Sequence, residues 1–158
     1  MRIIFFLIFF GCAGLIGYAL YLQWAEGLLP CPLCVAQRIA YWCLGLTALC
    51  AFLHNPQKTG RRVYSSLMLA FALLGATIAG RHAWLIRYPE SFECGISPEE
   101  AFLNALPIAE WWPAMFEANG DCADVSWQFF SLTIPDWSLV AFLLLAGMTV
   151  YLLIARRS

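Results

Sequence analysis

Four long apolar runs, set apart by short polar and charged stretches, organise the chain. No charged residue occurs between Arg2 and Glu26, and residues 3–24 are almost wholly apolar. At about 1.5 Å per residue, such a run lets one helix cross about 30 Å of hydrocarbon. Further runs cover about residues 35–53 and 63–85, and a fourth, about 137–154, is bounded by Asp136 and by Arg156 and Arg157. The pattern predicts an all-α membrane protein, a four-transmembrane-helix bundle forming a single integral membrane domain over residues 1–158, with both termini on one side.

The connections at the other end differ in size. One is short, about residues 25–34, and the other is long, about residues 86–136, and too apolar for a free linker. Within it, residues 109–116 (AEWWPAMF) predict a short helix lying in the interface, where tryptophan rings prefer to sit. The first run could be taken for a cleaved signal, with Gly11-Cys12 as a lipoprotein-like junction. The apolar stretch continues well past Cys12, which favours a retained span.

Composition sharpens this. The chain is 62% hydrophobic and 12% charged, against about 45–50% and about 25% in soluble domains. So few charges cannot clothe a water-soluble surface, which excludes a cytosolic enzyme, a nucleic-acid binder and a disordered chain. Arg2, Lys58, Arg61, Arg62, Arg156 and Arg157 fall at the termini and in the second-to-third connection, so the positive-inside rule makes those segments cytoplasmic. All ten acidic residues lie at the opposite end. The expected setting is a bacterial inner membrane, with the connections 25–34 and 86–136 periplasmic.

Four cysteines then face an oxidising compartment: Cys31 and Cys34 in Pro-Cys-Pro-Leu-Cys, and Cys94 and Cys122 in the long connection. The Cys-X-X-Cys opens a helix, where unpaired N–H groups and the helix dipole favour thiolate. Arg38, one turn beyond Cys34, is placed to stabilise its thiolate, an anionic cofactor, or both. A snorkelling interfacial arginine is the plainer reading. Cys94 and Cys122 read either as a structural staple or as a second dithiol in a relay, and a Cys₄ zinc site from all four is a third possibility. His82 reads as a cofactor contact or as a hydrogen-bonded interfacial residue, and Arg81 and Arg87 as interface anchors. Cys12, Cys43 and Cys50 fall inside spans and read as small buried hydrophobes.

These motifs together resemble the DsbB family of disulfide bond formation proteins: Pro30-Cys31-Pro32-Leu33-Cys34 running into Gln37-Arg38, Tyr88-Pro89 before Cys94, Trp112-Pro113, Gly120-Asp121-Cys122-Ala123 and Pro135-Asp136-Trp137. The resemblance implies a relay from a periplasmic DsbA-like thioredoxin-fold oxidase to the membrane quinone pool, ubiquinone or menaquinone. Cys94 would form the mixed disulfide with the partner, Cys122 would pass the electrons to Cys31, and Cys34 would meet the quinone, supported by Arg38 and His82. Gln37 departs from the acidic residue expected beside that arginine. An enzyme of the vitamin K epoxide reductase type is disfavoured by the order of the two dithiols along the chain. A four-span scaffold with structural disulfides is the non-enzymatic alternative. A relay fed by an oxidase at about −120 mV requires a Cys31–Cys34 bond that is unusually easy to reduce, since 30 mV corresponds to about 1.4 kcal/mol. Equilibration with a redox buffer should therefore give a potential well above about −270 mV, and a value there or below would make direct transfer untenable.

Overall fold

The computed structural model describes residues 2–88, 101, 105, 107–118, 120, 122 and 128–155, with backbone alone for 108 and 109. Its elements are α1 (Arg2–Glu26), α2 (Pro32–His54), α3 (Lys58–Arg87), α4 (Pro107–Trp111), α5 (Pro113–Phe116), the strands β1 (Gln128–Phe129) and β2 (Leu132–Thr133), and α6 (Ile134–Ile154). Among the described residues, α1, α2, α3 and α6 are long and apolar enough to cross a membrane, and they contain the four expected spans. The protein is a membrane-spanning helical bundle.

The helices pack in chain order, α1 on α2, α2 on α3 and α3 on α6, while α1 and α6 meet only sparsely. Lipid tails are as apolar as leucine, so close van der Waals packing between small residues must hold the interfaces. On α3 a stripe of Ala72, Gly75, Ala76, Ala79 and Ala83 turns inward at helical spacing. Gly75 lies against the Phe142 ring of α6, so closely that a Cβ there would overlap it. Phe142 in turn stacks on Tyr41 of α2, with ring centroids 4.0 Å apart and 8° between planes. The Tyr41 hydroxyl reaches the Ser138 backbone carbonyl and hydroxyl at 3.2 and 3.0 Å, joining α2 to α6.

Polar ties close the ends. Asn55, in the left-handed region at φ 46°, ends α2 by donating its N–H to the Ala51 carbonyl. Nearby, Arg61 is buried and donates to the Ala155 carbonyl at 2.8 Å. At the cysteine end, Thr133 and Asp136 form a capping box on α6: the Asp136 carboxylate accepts from the Thr133 N–H (3.0 Å) and hydroxyl (2.7 Å). Its other oxygen pairs with Arg87 of α3 at 2.9 Å. Arg87 is thus a clamp between two helices, beyond the interfacial anchor expected of it.

Three expectations change. The single short helix over 109–116 is two pieces, α4 and α5, parted at Trp112, because Pro113 cannot donate to a preceding turn and pushes Trp112 out of helical geometry. The β1–β2 hairpin was not anticipated: its turn holds Phe130 and Ser131 at φ 51° and 61° without the usual glycine or asparagine. Of the three cysteines expected to be buried, Cys12 is buried against Gly45, Cys43 is half-buried and Cys50 is exposed, on the outward side of α2.

Gly75→Ala should overpack the α3–α6 contact and cost about 1–3 kcal/mol. Thermal unfolding in detergent checks this, and an unchanged midpoint would remove Gly75 from the list of packing determinants.

Candidate functional site

Local chemistry sets the first turn of α2. Proline at position 32 disfavours helical backbone at the residue before it, so Cys31 is extended (φ −81°, ψ 163°), while Pro32 itself opens the helix at no cost in hydrogen bonds. Cys31 therefore becomes the N-cap, and its sulfur accepts the Cys34 N–H at 3.3 Å. The two sulfurs lie 3.2 Å apart.

Cys122 joins them from the long connection. It is buried in a small cluster with Cys31, Leu33 and Leu85. Its thiol is held below the ordinary cysteine range by a hydrogen bond from the Cys31 thiol and, against the opposing effect of burial, by the Leu33 backbone N–H. Cys31 is correspondingly held well above that range, by the proton it offers first to Cys122 and then to Cys34, with burial adding to both. Cys31 is thus the central sulfur of three. Gly120, two residues before Cys122, donates its N–H to the Pro30 carbonyl at 3.0 Å. Cys94 lies outside the described residues, so the loop dithiol and the four-cysteine zinc reading rest on a residue the structure does not describe.

His82 of α3 completes the cluster. Its Nε2 stands 3.6 Å from Cys31 Sγ and its Nδ1 3.9 Å from Cys34 Sγ. Gln37 reaches Nδ1 with its amide nitrogen at 3.2 Å, and the ring also interacts with the Cys122 backbone. One ligand-type atom each from Cys31, Cys34 and His82 lies within 4.8 Å of the others, a grouping that could hold a metal ion. Both ring nitrogens already have protein partners, which suits a positioning imidazole better than a metal ligand. Gln37, the departure noted in the sequence, therefore contacts the histidine.

Arg38 is buried and ties three segments together. Its Nη1 donates to the Ala114 and Met115 carbonyls (3.2 and 3.4 Å) and its Nη2 to Gln23 Oε1 of α1 (2.9 Å), while Gln23 Nε2 donates to the same Ala114 carbonyl (3.1 Å). Gln23 escaped the sequence reading, although an amide inside an otherwise apolar span was a signal that it has a partner.

A cavity of about 500 Å³ adjoins these groups between α1 and α6. Cys34, Arg38 and His82 give it a polar end, and Leu15, Leu22 and Leu144 are among its apolar walls. The wall residues Tyr18, Trp137 and Leu144 are exposed, so the cavity opens on the flank of the bundle. Its size and its few convergent polar groups fit a small apolar ligand with a polar head.

Because thiolate is the reactive form, a lowered pKa carries reactivity to lower pH. In the fully reduced chain Cys122 should alkylate with an apparent pKa below that of a free cysteine, and Cys31→Ala should move it upward. Mass-spectrometric alkylation rates across pH test this, and identical profiles in the two chains would contradict the sulfur-to-sulfur contact.

Residues 1–152 match the family model described as disulfide bond formation protein DsbB. A relative from Nitrosospira multiformis named disulfide bond formation protein B is 66% identical over 158 residues, covering 100% of this chain and 94% of its own. One of the same name from Nitrosomonas eutropha is 70% identical over 142 residues, 90% of this chain and 88% of its own. A third, from Aromatoleum aromaticum, is 43% identical over 99% of this chain and 94% of its own. A membrane-spanning bundle that gathers three cysteines at one helix N-terminus, with these relatives, belongs to the DsbB family of disulfide bond formation proteins.

Proposed function

We propose that the chain is a protein dithiol:quinone oxidoreductase that reoxidises a periplasmic DsbA-like thioredoxin-fold oxidase and delivers the electrons to membrane ubiquinone or menaquinone. The observation that carries this reading is the placement of Cys31 between Cys122 and Cys34, with Cys34 on the wall of a cavity that opens on the flank of the bundle. On this reading the cysteine end is periplasmic and the termini cytoplasmic, as the basic residues suggest.

The chemistry is a sequence of thiol–disulfide exchanges. A partner thiolate attacks Cys94 of the Cys94–Cys122 disulfide, and Cys122 leaves as thiolate. Cys122 then attacks Cys31 of the Cys31–Cys34 disulfide, forming Cys31–Cys122 and releasing Cys34 as thiolate beside the cavity. The second partner thiol displaces Cys94 and departs oxidised. Cys94 recaptures Cys122, leaving Cys31 and Cys34 as a dithiol that holds two electrons and two protons. A quinone bound in the cavity supplies the acceptor for both, with restoration of the Cys31–Cys34 bond.

This chain's residues have separate tasks. Of the first-turn amides of α2, the Leu33 N–H stabilises the departing Cys122 thiolate, and the Cys34 N–H donates to the Cys31 sulfur. Arg38 supplies donors at the polar end of the cavity, the His82 ring lines that end beside Cys34, and apolar walls accept a ring and its tail. Gln37 donating to Nδ1 leaves the proton of the neutral His82 ring on Nε2, the atom facing Cys31.

Purified chain mixed with reduced oxidase and each quinone in turn should consume quinone absorbance. Cys34→Ser should abolish turnover, and Arg38→Ala and His82→Ala should raise the KM for quinone about tenfold or more, the scale of losing one hydrogen bond to a polar head, about 1.4 kcal/mol. No turnover with either quinone would return the chain to the scaffold reading.

A further inference from the structure

We propose that Gly120 is a positioning residue for the exchange between Cys122 and Cys31: its missing Cβ lets the long connection dock backbone against backbone, and that docking presents the Cys122 sulfur. The inference rests on the relay described above and concerns one step within it.

Gly120 lies on the segment Leu29–Cys31, with its N–H on the Pro30 carbonyl at 3.0 Å. A Cβ at this position would overlap the Leu29 carbonyl group and stand 3.1 Å from the Cys31 nitrogen. These obstacles are all main chain. They belong to a stretch whose φ angles are fixed at Pro30 and Pro32, so no side chain can swing aside to make room. Close approach of two backbones is a use that glycine alone serves.

The consequence for chemistry follows from distance. Two residues of chain span at most about 7 Å, so a displacement at Gly120 reaches Cys122 almost undiminished. In the docked state Cys122 is buried with Cys31, Leu33 and Leu85 and takes hydrogen bonds from the Cys31 thiol and the Leu33 amide. In the step concerned, the Cys122 thiolate attacks Cys31 Sγ, the Cys31–Cys34 bond breaks as the Cys31–Cys122 bond forms, and Cys34 departs with the electron pair. Exchange of this kind requires sulfur-to-sulfur contact, and a misplacement of about 1 Å can cost on the order of 100-fold in rate. The contacts of the Cys31 and Cys34 sulfurs with each other and with His82 are made without Gly120, so the reaction of that pair with a small dithiol depends on Gly120 far less than the step at Cys122 does. Asn119-Gly120-Asp121 has the composition of a turn, which by itself would give Gly120 no further role.

The test uses the full chain in detergent with two electron donors. Reduced thioredoxin-fold oxidase enters through the loop cysteines, whereas dithiothreitol can reduce Cys31–Cys34 directly, as a Cys94→Ser/Cys122→Ser chain calibrates. Gly120→Ala should lower oxidase-driven quinone reduction at least tenfold and leave the dithiothreitol-driven rate within about twofold of wild type. In a Cys34→Ser/Cys94→Ser background, the oxidant-induced Cys31–Cys122 disulfide should form at least tenfold more slowly once Gly120→Ala is added. Wild-type rates in both assays would overturn the proposal. If Gly120→Ala loses both donors through misfolding, insertion of one glycine after Asp121 in the natural chain unseats Cys122 without adding a Cβ. That variant should show the same split between donors, and its failure to do so would equally overturn the proposal. Absence of quinone reduction by wild type with either donor would instead sink the relay, while the disulfide-formation rates would still decide the docking role of Gly120.

Discussion

The whole arrangement at the cysteine end depends on the exposed amides of the first turn of α2. A helix start leaves N–H groups without internal partners, and at the edge of a membrane water cannot be relied on to satisfy them. Here sulfur atoms do so: Cys31 accepts from Cys34, and Cys122 from Leu33. Pro32 makes this possible by forcing Cys31 out of helical backbone, which turns a cysteine into the cap where serine or aspartate would be usual. The same groups that begin the helix therefore also favour the Cys122 thiolate, and the structural and chemical demands of the site coincide.

Around that point the polar groups form a connected set. Arg38 and Gln23 fasten α5 to α1 and α2, Gln37 orients His82, and Arg87 with Asp136 draws α3 to α6. Each group is costly in an apolar setting unless partnered, so together they specify one arrangement of helix ends where alanine and leucine packing would tolerate several. The helix α5 is held by this set more than by its own secondary structure. The helices α4 and α5 are 5 and 4 residues long, too short to persist alone.

The spans were legible because hydrocarbon imposes a length and excludes charge, and both constraints are written in consecutive residues. Cys31, Cys34 and Arg38 were legible for the related reason that helical spacing carries one residue to the next turn. The contacts of Gln23, Gln37 and Gly120 were not, since each depends on a segment remote in the chain: Gln23 meets Ala114, Gln37 meets His82, and Gly120 meets Leu29. Gly120 shows the limit most plainly. Asn-Gly-Asp has the composition of a turn, and nothing local distinguishes a glycine that bends the chain from one that lets another backbone come close. The hairpin at residues 128–133 escaped for the opposite reason, because its turn uses phenylalanine and serine where the local signal would be glycine.

The sparse meeting of α1 and α6 has a consequence for selectivity. Because the cavity is open along its flank, a lipid-borne molecule need insert only its polar head, and the remainder can stay among the acyl chains. On the proposed reading, recognition would then be confined to the ring end, beside Cys34, Arg38 and His82, and the length of an attached tail would go unmeasured. A bundle sealed on all sides would have had to enclose the tail and so match its length. On the proposed reading, an incomplete ring of four helices would instead admit head groups from a mixed membrane pool and release them sideways.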